Sequence, residues 1–131
     1  MRKTILFISL ALTTILPSCK KDLATAWVGT YTGTAGSNTF NQVVITKVDD
    51  ATIKMELKTV VAGTAVTYAT IAAGKLSSNN VAVSEDGSII GTSGTWHFTG
   101  SGNLNGTVLV LDGAATQTGQ NTLYYTFTGS K

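Results

Sequence analysis

The sequence predicts an all-β protein of about eight antiparallel strands closed into an up-and-down barrel, with a two-sheet sandwich as the alternative. Three observations predict it. Apolar runs recur about every ten residues, separated by Gly, Asn and Asp, which is the spacing of sandwiches and barrels. The clearest run alternates apolar and polar side chains, as a half-buried strand does. No helical pattern lies between the runs, which excludes a parallel layout, and the chain is rich in Thr and Val but poor in charge. Disordered chains combine low hydrophobicity with high net charge, and this sequence has neither.

The N-terminal stretch stands apart from the predicted barrel. Met1-Arg2-Lys3 is positive, and Ile5 to Leu16 is mostly apolar. At about twelve residues this run fits the core of an export signal, roughly 7–15 residues, and is short for a membrane-crossing helix, which needs about 20. Residues 1–18 therefore read as a cleaved signal and residues 19–26 as a tether, leaving 27–131 as the barrel. Cys19 is the only cysteine, so it has no partner for an intrachain disulfide. The chain has nine Lys+Arg and seven Asp+Glu; Arg2 and Lys3 leave with the signal, so the mature protein has seven of each. Lys47, Lys54, Lys58 and Lys75 are scattered, and no basic stripe argues for nucleic acid.

The strands follow in order. Trp27 to Thr34 is the first, with Trp27 and Tyr31 on one face and Val28, Thr30 and Thr32 on the other. The second is Val43 to Val48, closed by a turn at Asp49-Asp50. In the third, Thr52 to Val60, Ile53, Met55, Leu57 and Thr59 alternate with Lys54, Glu56 and Lys58; at helical spacing these charges would spread around the axis. Ala62-Gly63 turns the chain into a fourth run, Ala65 to Ala73. A short fifth lies at Asn80 to Ser84, and Asp86-Gly87 reads as a hairpin turn. The sixth begins near Ser88 or after Gly91, carries Trp96, His97 and Phe98, and reaches Leu104. Asn105-Gly106 is the strongest hairpin signal and suggests a type I′ turn. The seventh, Thr107 to Leu111, ends at Asp112-Gly113. The loop Ala114 to Gln120 leads to Thr122 to Thr128, where Leu123, Tyr125 and Phe127 alternate with Tyr124, Thr126 and Thr128.

The residues that carry chemistry are few. His97 is the only histidine, and alternation points it away from Trp96 and Phe98, outward. No serine stands in a Gly-x-Ser-x-Gly setting. One histidine without clustered carboxylates falls short of a zinc site. Asp49-Asp50 and Glu85-Asp86 read as turn formers, and Gly100-Ser101-Gly102 has no helix after it to make a phosphate loop. No enzyme, metal or cofactor is expected. The aromatics Trp27, Tyr31, Trp96, Phe98, Tyr125 and Phe127 are placed on the inner face, where they either fill the barrel or line a ligand pocket. Small neighbours such as Gly29, Ala65, Ala69 and Gly102 leave room for either.

Two resemblances add to this reading. Leu16-Pro17-Ser18-Cys19 resembles the lipobox of bacterial lipoproteins, with Pro17 in place of the commoner small residue. The resemblance implies cleavage before Cys19, diacylglycerol on its thiol and an acyl chain such as palmitate on the new N-terminus. It places the protein in the cell envelope, on the outer membrane, facing the periplasm or the surface. Trp27-Val28-Gly29-Thr30-Tyr31 resembles the opening strand of lipocalin-like proteins, where a Gly-and-Trp motif plugs one end of an eight-stranded barrel. Phe98-Thr99-Gly100-Ser101-Gly102-Asn103-Leu104-Asn105-Gly106, Thr126-Phe127-Thr128-Gly129-Ser130-Lys131 and Ser18-Cys19-Lys20-Lys21-Asp22 are similar to segments of small lipocalin-like lipoproteins of the Bacteroidetes. The implied function is binding of a small apolar ligand inside the barrel. The alternative is a non-catalytic module with a solid core that meets a protein or glycan through outward threonines such as Thr30, Thr32, Thr126 and Thr128.

Overall fold

The computed structural model describes residues 21–35 and 40–131; residues 1–18 and Cys19 lie outside them. Eight strands follow one another: β1 Gly29–Ala35, β2 Gln42–Asp49, β3 Thr52–Val61, β4 Thr64–Ser77, β5 Asn80–Gly87, β6 Trp96–Asn105, β7 Val108–Thr116 and β8 Leu123–Ser130. Each pairs antiparallel with the next, and β8 returns to β1, so the sheet closes in sequence order. The architecture is therefore the barrel and not the sandwich, and among the described residues there is no helix. Closure removes the unpaired edges that would recruit other strands.

Alternation decides what the interior holds. Ile53, Met55 and Leu57 on β3, Trp96, Phe98 and Leu104 on β6, Leu109, Leu111 and Ala115 on β7, and Tyr125 and Phe127 on β8 are all buried. Thr30, Thr32, Thr126 and Thr128 face solvent, as does Tyr124 beside the buried Tyr125. Burying a side chain the size of Leu or Phe stabilises the fold by roughly 1.5–3 kcal/mol, so this one-sided pattern fixes the strand register.

The two ends of the barrel differ. One carries the N-terminal segment, Lys131 and the β2–β3, β4–β5 and β6–β7 turns, and is closed. There the chain does not enter as a strand at Trp27, as the sequence suggested. Trp27 sits in a turn, its N–H bonded to the carbonyl of Ala24 at 3.0 Å, and its side chain is buried beneath the barrel. The reason is competition for the carbonyls that a strand would use. Tyr31 donates its hydroxyl to the Trp27 carbonyl at 2.8 Å, and the Lys131 ammonium donates to the carbonyls of Ala26 and Val28 at 2.8 and 2.9 Å. That ammonium also lies 5.3 Å from the centre of the Tyr31 ring, a cation–π contact. The opposite end, the mouth, carries the β1–β2, β3–β4, β5–β6 and β7–β8 connections.

Several expected turns are displaced for one physical reason: glycines read as turn formers are packing glycines. Gly87 lies in β5 opposite Trp96, with Asp86 opposite His97. A side chain at Gly87 would stand 3.0 Å from the Phe98 ring and 3.3 Å from the Thr70 carbonyl. The β5–β6 connection is instead residues 88–95, and β6 starts at Trp96. Gly113 likewise lies inside β7, which runs on to Thr116, because the Tyr125 ring occupies the space a side chain would fill. β4 continues through Gly74 to Ser77, since Gly74 and Leu76 are still buried inner positions. At the β6–β7 hairpin Asn105 pairs with Val108, so Gly106 and Thr107 are the central pair. Only Gly106 has positive φ, the type II′ pattern in place of I′.

The β3–β4 hairpin does have the I′ pattern. Val61 pairs with Thr64, and Ala62 and Gly63 both have positive φ, at 51° and 80°. Alanine is strained there and asparagine tolerates the conformation. Ala62→Asn should therefore raise the stability measured by urea denaturation by about 0.5–1 kcal/mol. Gly113→Ala should lower it by roughly 1–3 kcal/mol, because the added methyl collides with both Tyr125 and the β6 backbone.

Candidate ligand-binding site

A cavity of about 320 Å³ lies at the mouth. Leu57 of β3, Phe98 of β6, Ala115 of β7 and Tyr125 of β8 form its inner wall. Tyr68 and Ile89 line one side, and Thr122, Leu123 and Tyr124 form a rim on which Tyr124 is largely exposed.

The void follows from the sequence. The inner positions at this level of the wall include Gly113, Gly100 and Ala115, which offer little volume. Gly100 pairs with Gly113, and Gly113 with Tyr125, so three neighbouring strands present a trough of two glycines beside one ring. The Tyr125 ring lies across that trough, and its hydroxyl donates to the Thr99 carbonyl at 3.1 Å. A large side chain thus lies along the wall and leaves the lumen open. On the opposite wall Ala69 sits between Leu57, its partner on β3, and Ile89, with which it forms an isolated bridge. Of the small residues singled out in the sequence none lines the cavity itself; Ala69 is buried beside two residues that do, Leu57 and Ile89. Gly102 is filled over by Leu111 and Val81, Gly29 lies under Lys131, and Ala65 is exposed on the β3–β4 hairpin.

Two irregularities aim residues at the cavity. β4 carries a register shift against β3 between the partners of Leu57 and Lys58, and the extra residue is Tyr68. A bulge of this kind re-aims a side chain, and Tyr68 turns in at the mouth. The Trp96 indole donates to the Thr92 hydroxyl at 2.9 Å, which itself donates to the Ile89 carbonyl at 2.7 Å. Trp96 thereby pins the 88–95 connection and holds Ile89 over the cavity. The β4–β5 seam beside it is thin: ladder pairing is confined to Lys75–Ser77 with Asn80–Ala82. Higher up, the Glu85 carboxylate accepts from the Ala73 N–H at 3.3 Å and stands in for the missing ladder bond.

The six aromatics expected on the inner face are all buried, but they divide by level. Phe98 and Tyr125 line the cavity. Trp27 and Tyr31 fill the closed end, Trp96 braces the loop, and Phe127 stacks on Phe40 with ring centres 5.7 Å apart. Phe40 also stacks on Tyr68 at 6.2 Å, filling the β1–β2 side of the mouth. Sequence reading did not single out Phe40, Tyr68 or Ile89, because each stands in a loop or at a bulge, where alternation carries no signal.

No charged side chain lines the cavity. Burial, reinforced by the charges of Asp112 and Glu85, pushes the Tyr125 phenol up to about 12, so it stays neutral. Among the described residues every buried side-chain nitrogen or oxygen has a partner, so none waits in the interior for a ligand. The chemistry offered is an apolar surface with hydroxyls only at its edge. His97 is elsewhere, on the outer wall, with Nδ1 2.8 Å from the Asp86 carboxylate and both side chains exposed. Among the described residues no cluster of three or more His, Cys, Asp or Glu is placed to hold a metal ion.

No family model, curated protein or solved structure matches this chain. Eight antiparallel strands closed in sequence order fit a calycin-like fold.

Charge gathers at the far end of the barrel. Lys47 bridges Asp22 at 2.6 Å and Asp50 at 2.7 Å. Asp49 accepts the Ala51 N–H at 2.9 Å, and that bond holds its pKa below the ordinary carboxylate value. Asp22 also accepts from the N–H and hydroxyl of Thr25. Its hydrogen bond to Lys47, followed by those to Thr25, brings its pKa down from 3.8 to about 2. The ionised form is thus favoured in the docked segment, and its contribution is present above the ordinary value and lost as pH falls through the lowered one. A carbon-detected NMR titration should place the Asp22 carboxyl near 2 and return it toward 3.8 in Lys47→Ala.

Proposed function

We propose that this protein is a lipid-anchored envelope protein, tethered through Cys19, whose barrel holds a small, uncharged, apolar ligand at its mouth. The observation that carries the ligand reading is the cavity of about 320 Å³, lined by Leu57, Tyr68, Ile89, Phe98 and Ala115 and free of charged side chains. That volume lies at the lower end of ligand pockets, roughly 300–1,000 Å³, which favours a short acyl chain or a compound of one or two rings over a long lipid. The anchor reading rests on the export-signal pattern ending at Cys19. The barrel acts by binding and not by catalysis; its one histidine is paired on the outer wall, away from the cavity.

A neutral naphthylamine dye provides the test. The lipid-free protein should bind it saturably with a blue-shifted, enhanced emission. Ala115→Phe, which places a ring in the cavity, should weaken binding by about tenfold or more, equivalent to at least 1.4 kcal/mol, with the fold retained by circular dichroism. Absence of saturable binding, or binding unchanged in Ala115→Phe, would count against a ligand at the mouth. It would favour the second reading, a solid interaction module, which the filled closed half and the exposed Thr30, Thr32, Thr126 and Thr128 support. For the anchor, Cys19→Ser should abolish palmitate labelling and release the protein from the membrane fraction; unchanged labelling would refute lipid at this residue.

A further inference from the structure

We infer that the barrel stands on its membrane closed end down, with the ligand mouth on the far side facing water. The inference rests on lipidation of Cys19, and three observations turn that anchor into an orientation.

The first is the absence of slack. Residues 19–26 were expected to form a tether, but the fold takes hold at Asp22. Its carboxylate meets Lys47 at 2.6 Å, and the N–H groups of Leu23 and Ala24 both donate to the Asp50 carbonyl, at 2.8 and 3.1 Å. Ala24 and Trp27 are buried in the core. From Cys19 to Asp22 the chain can reach at most about 11 Å when fully extended.

The second is the place of attachment. Asp22, Leu23 and Ala24 dock on the β2–β3 turn, at the closed end, whereas the cavity opens at the opposite end. β6 has ten residues. At about 3.3 Å per residue and a strand tilt of about 40°, the barrel stands about 25 Å tall. To set the mouth against the bilayer, the anchor would have to span that height, more than twice its reach.

The third is the character of the closed end. Its turns present Asp50, Ser78, Asn79, Asn105 and Thr107, with Lys21 and Lys47 beside them, all exposed. Just above, on the outer wall, Val28, Val48 and Val108 are exposed around the same end. Polar tips and mixed charge with a few apolar side chains suit the headgroup layer. It follows that the ligand is exchanged with the aqueous compartment and is not drawn from the leaflet that holds the anchor.

The test uses the full, lipidated chain in vesicles of phosphatidylethanolamine and phosphatidylglycerol doped with a nitroxide on the lipid headgroup. Cys19 is blocked by lipid, so a single added thiol carries a fluorophore either at the closed end, Thr107→Cys, or at the mouth, Thr118→Cys; both positions are exposed. The fluorophore at 107 should lose most of its emission and the one at 118 should keep it. Inserting a long Gly/Ser linker between Lys20 and Lys21 should erase the difference, because the slack then exceeds the barrel height. Equal quenching of the two without the linker, or stronger quenching at 118, overturns the orientation while leaving the anchor intact. Failure of the parent chain to float with vesicles overturns the anchor itself.

Discussion

The ladder between β8 and β1 pairs Thr32 with Ser130 and Gly33 with Gly129. A side chain on Gly33 would collide with the Thr128 carbonyl, so the two strands meet only because both positions are bare. Once this seam is joined, the sheet has a fixed inside, and every inward residue must share one narrow lumen. Eight strands enclose a space just wide enough to be filled by side chains or to hold one small ligand. The balance between those outcomes is then set level by level. At the closed end Trp27, Tyr31, Ile45 and Leu109 are buried and fill the lumen with their own side chains. At the mouth the Tyr125 ring lies over Gly100 and Gly113, and a cavity remains among Leu57, Phe98 and Ala115.

The same glycines explain what was and was not legible in the sequence. The strand count could be read from the spacing of the apolar runs and the inner faces of β3 and β8 from alternation, because Lys54, Glu56 and Lys58 mark the outside of one strand and Thr126 and Thr128 that of the other; closure could not, since a sandwich alternates in the same way. The ends of the strands could not. Asp86-Gly87 and Asp112-Gly113 have the composition of turns, yet both glycines are there to accommodate rings, Phe98 and Tyr125, that come from neighbouring strands. Such a role depends on a partner distant in sequence, so no local pattern reveals it. The candidate site was half legible for a related reason. Phe98 and Tyr125 stand on regular strands and follow from periodicity. Tyr68 reaches the cavity through a bulge, and Ile89 through a loop held by Trp96 and Thr92, and neither device leaves a mark in the alternation.

The two ends of the barrel divide its physical chemistry. At the mouth, burial keeps Tyr125 neutral, and its hydroxyl is already engaged by Thr99, so the cavity selects by shape and apolar contact. At the closed end, Asp22, Lys47 and Asp50 fasten the incoming chain to the β2–β3 turn, and Lys131 covers the carbonyls of Ala26 and Val28. The charges that hold the N-terminal segment are thus kept about a barrel's height from the surface proposed to hold the ligand. Binding at one end need not disturb attachment at the other.

Whether the open space at the mouth takes a ligand can be read from backbone amide NMR during addition of a neutral apolar compound. Saturable shifts are expected at Leu57, Tyr68, Ile89, Ala115 and Leu123, with Trp27, Tyr31 and Leu109 unmoved. Shifts that fail to saturate, or that centre on the closed end, would contradict a ligand at the mouth.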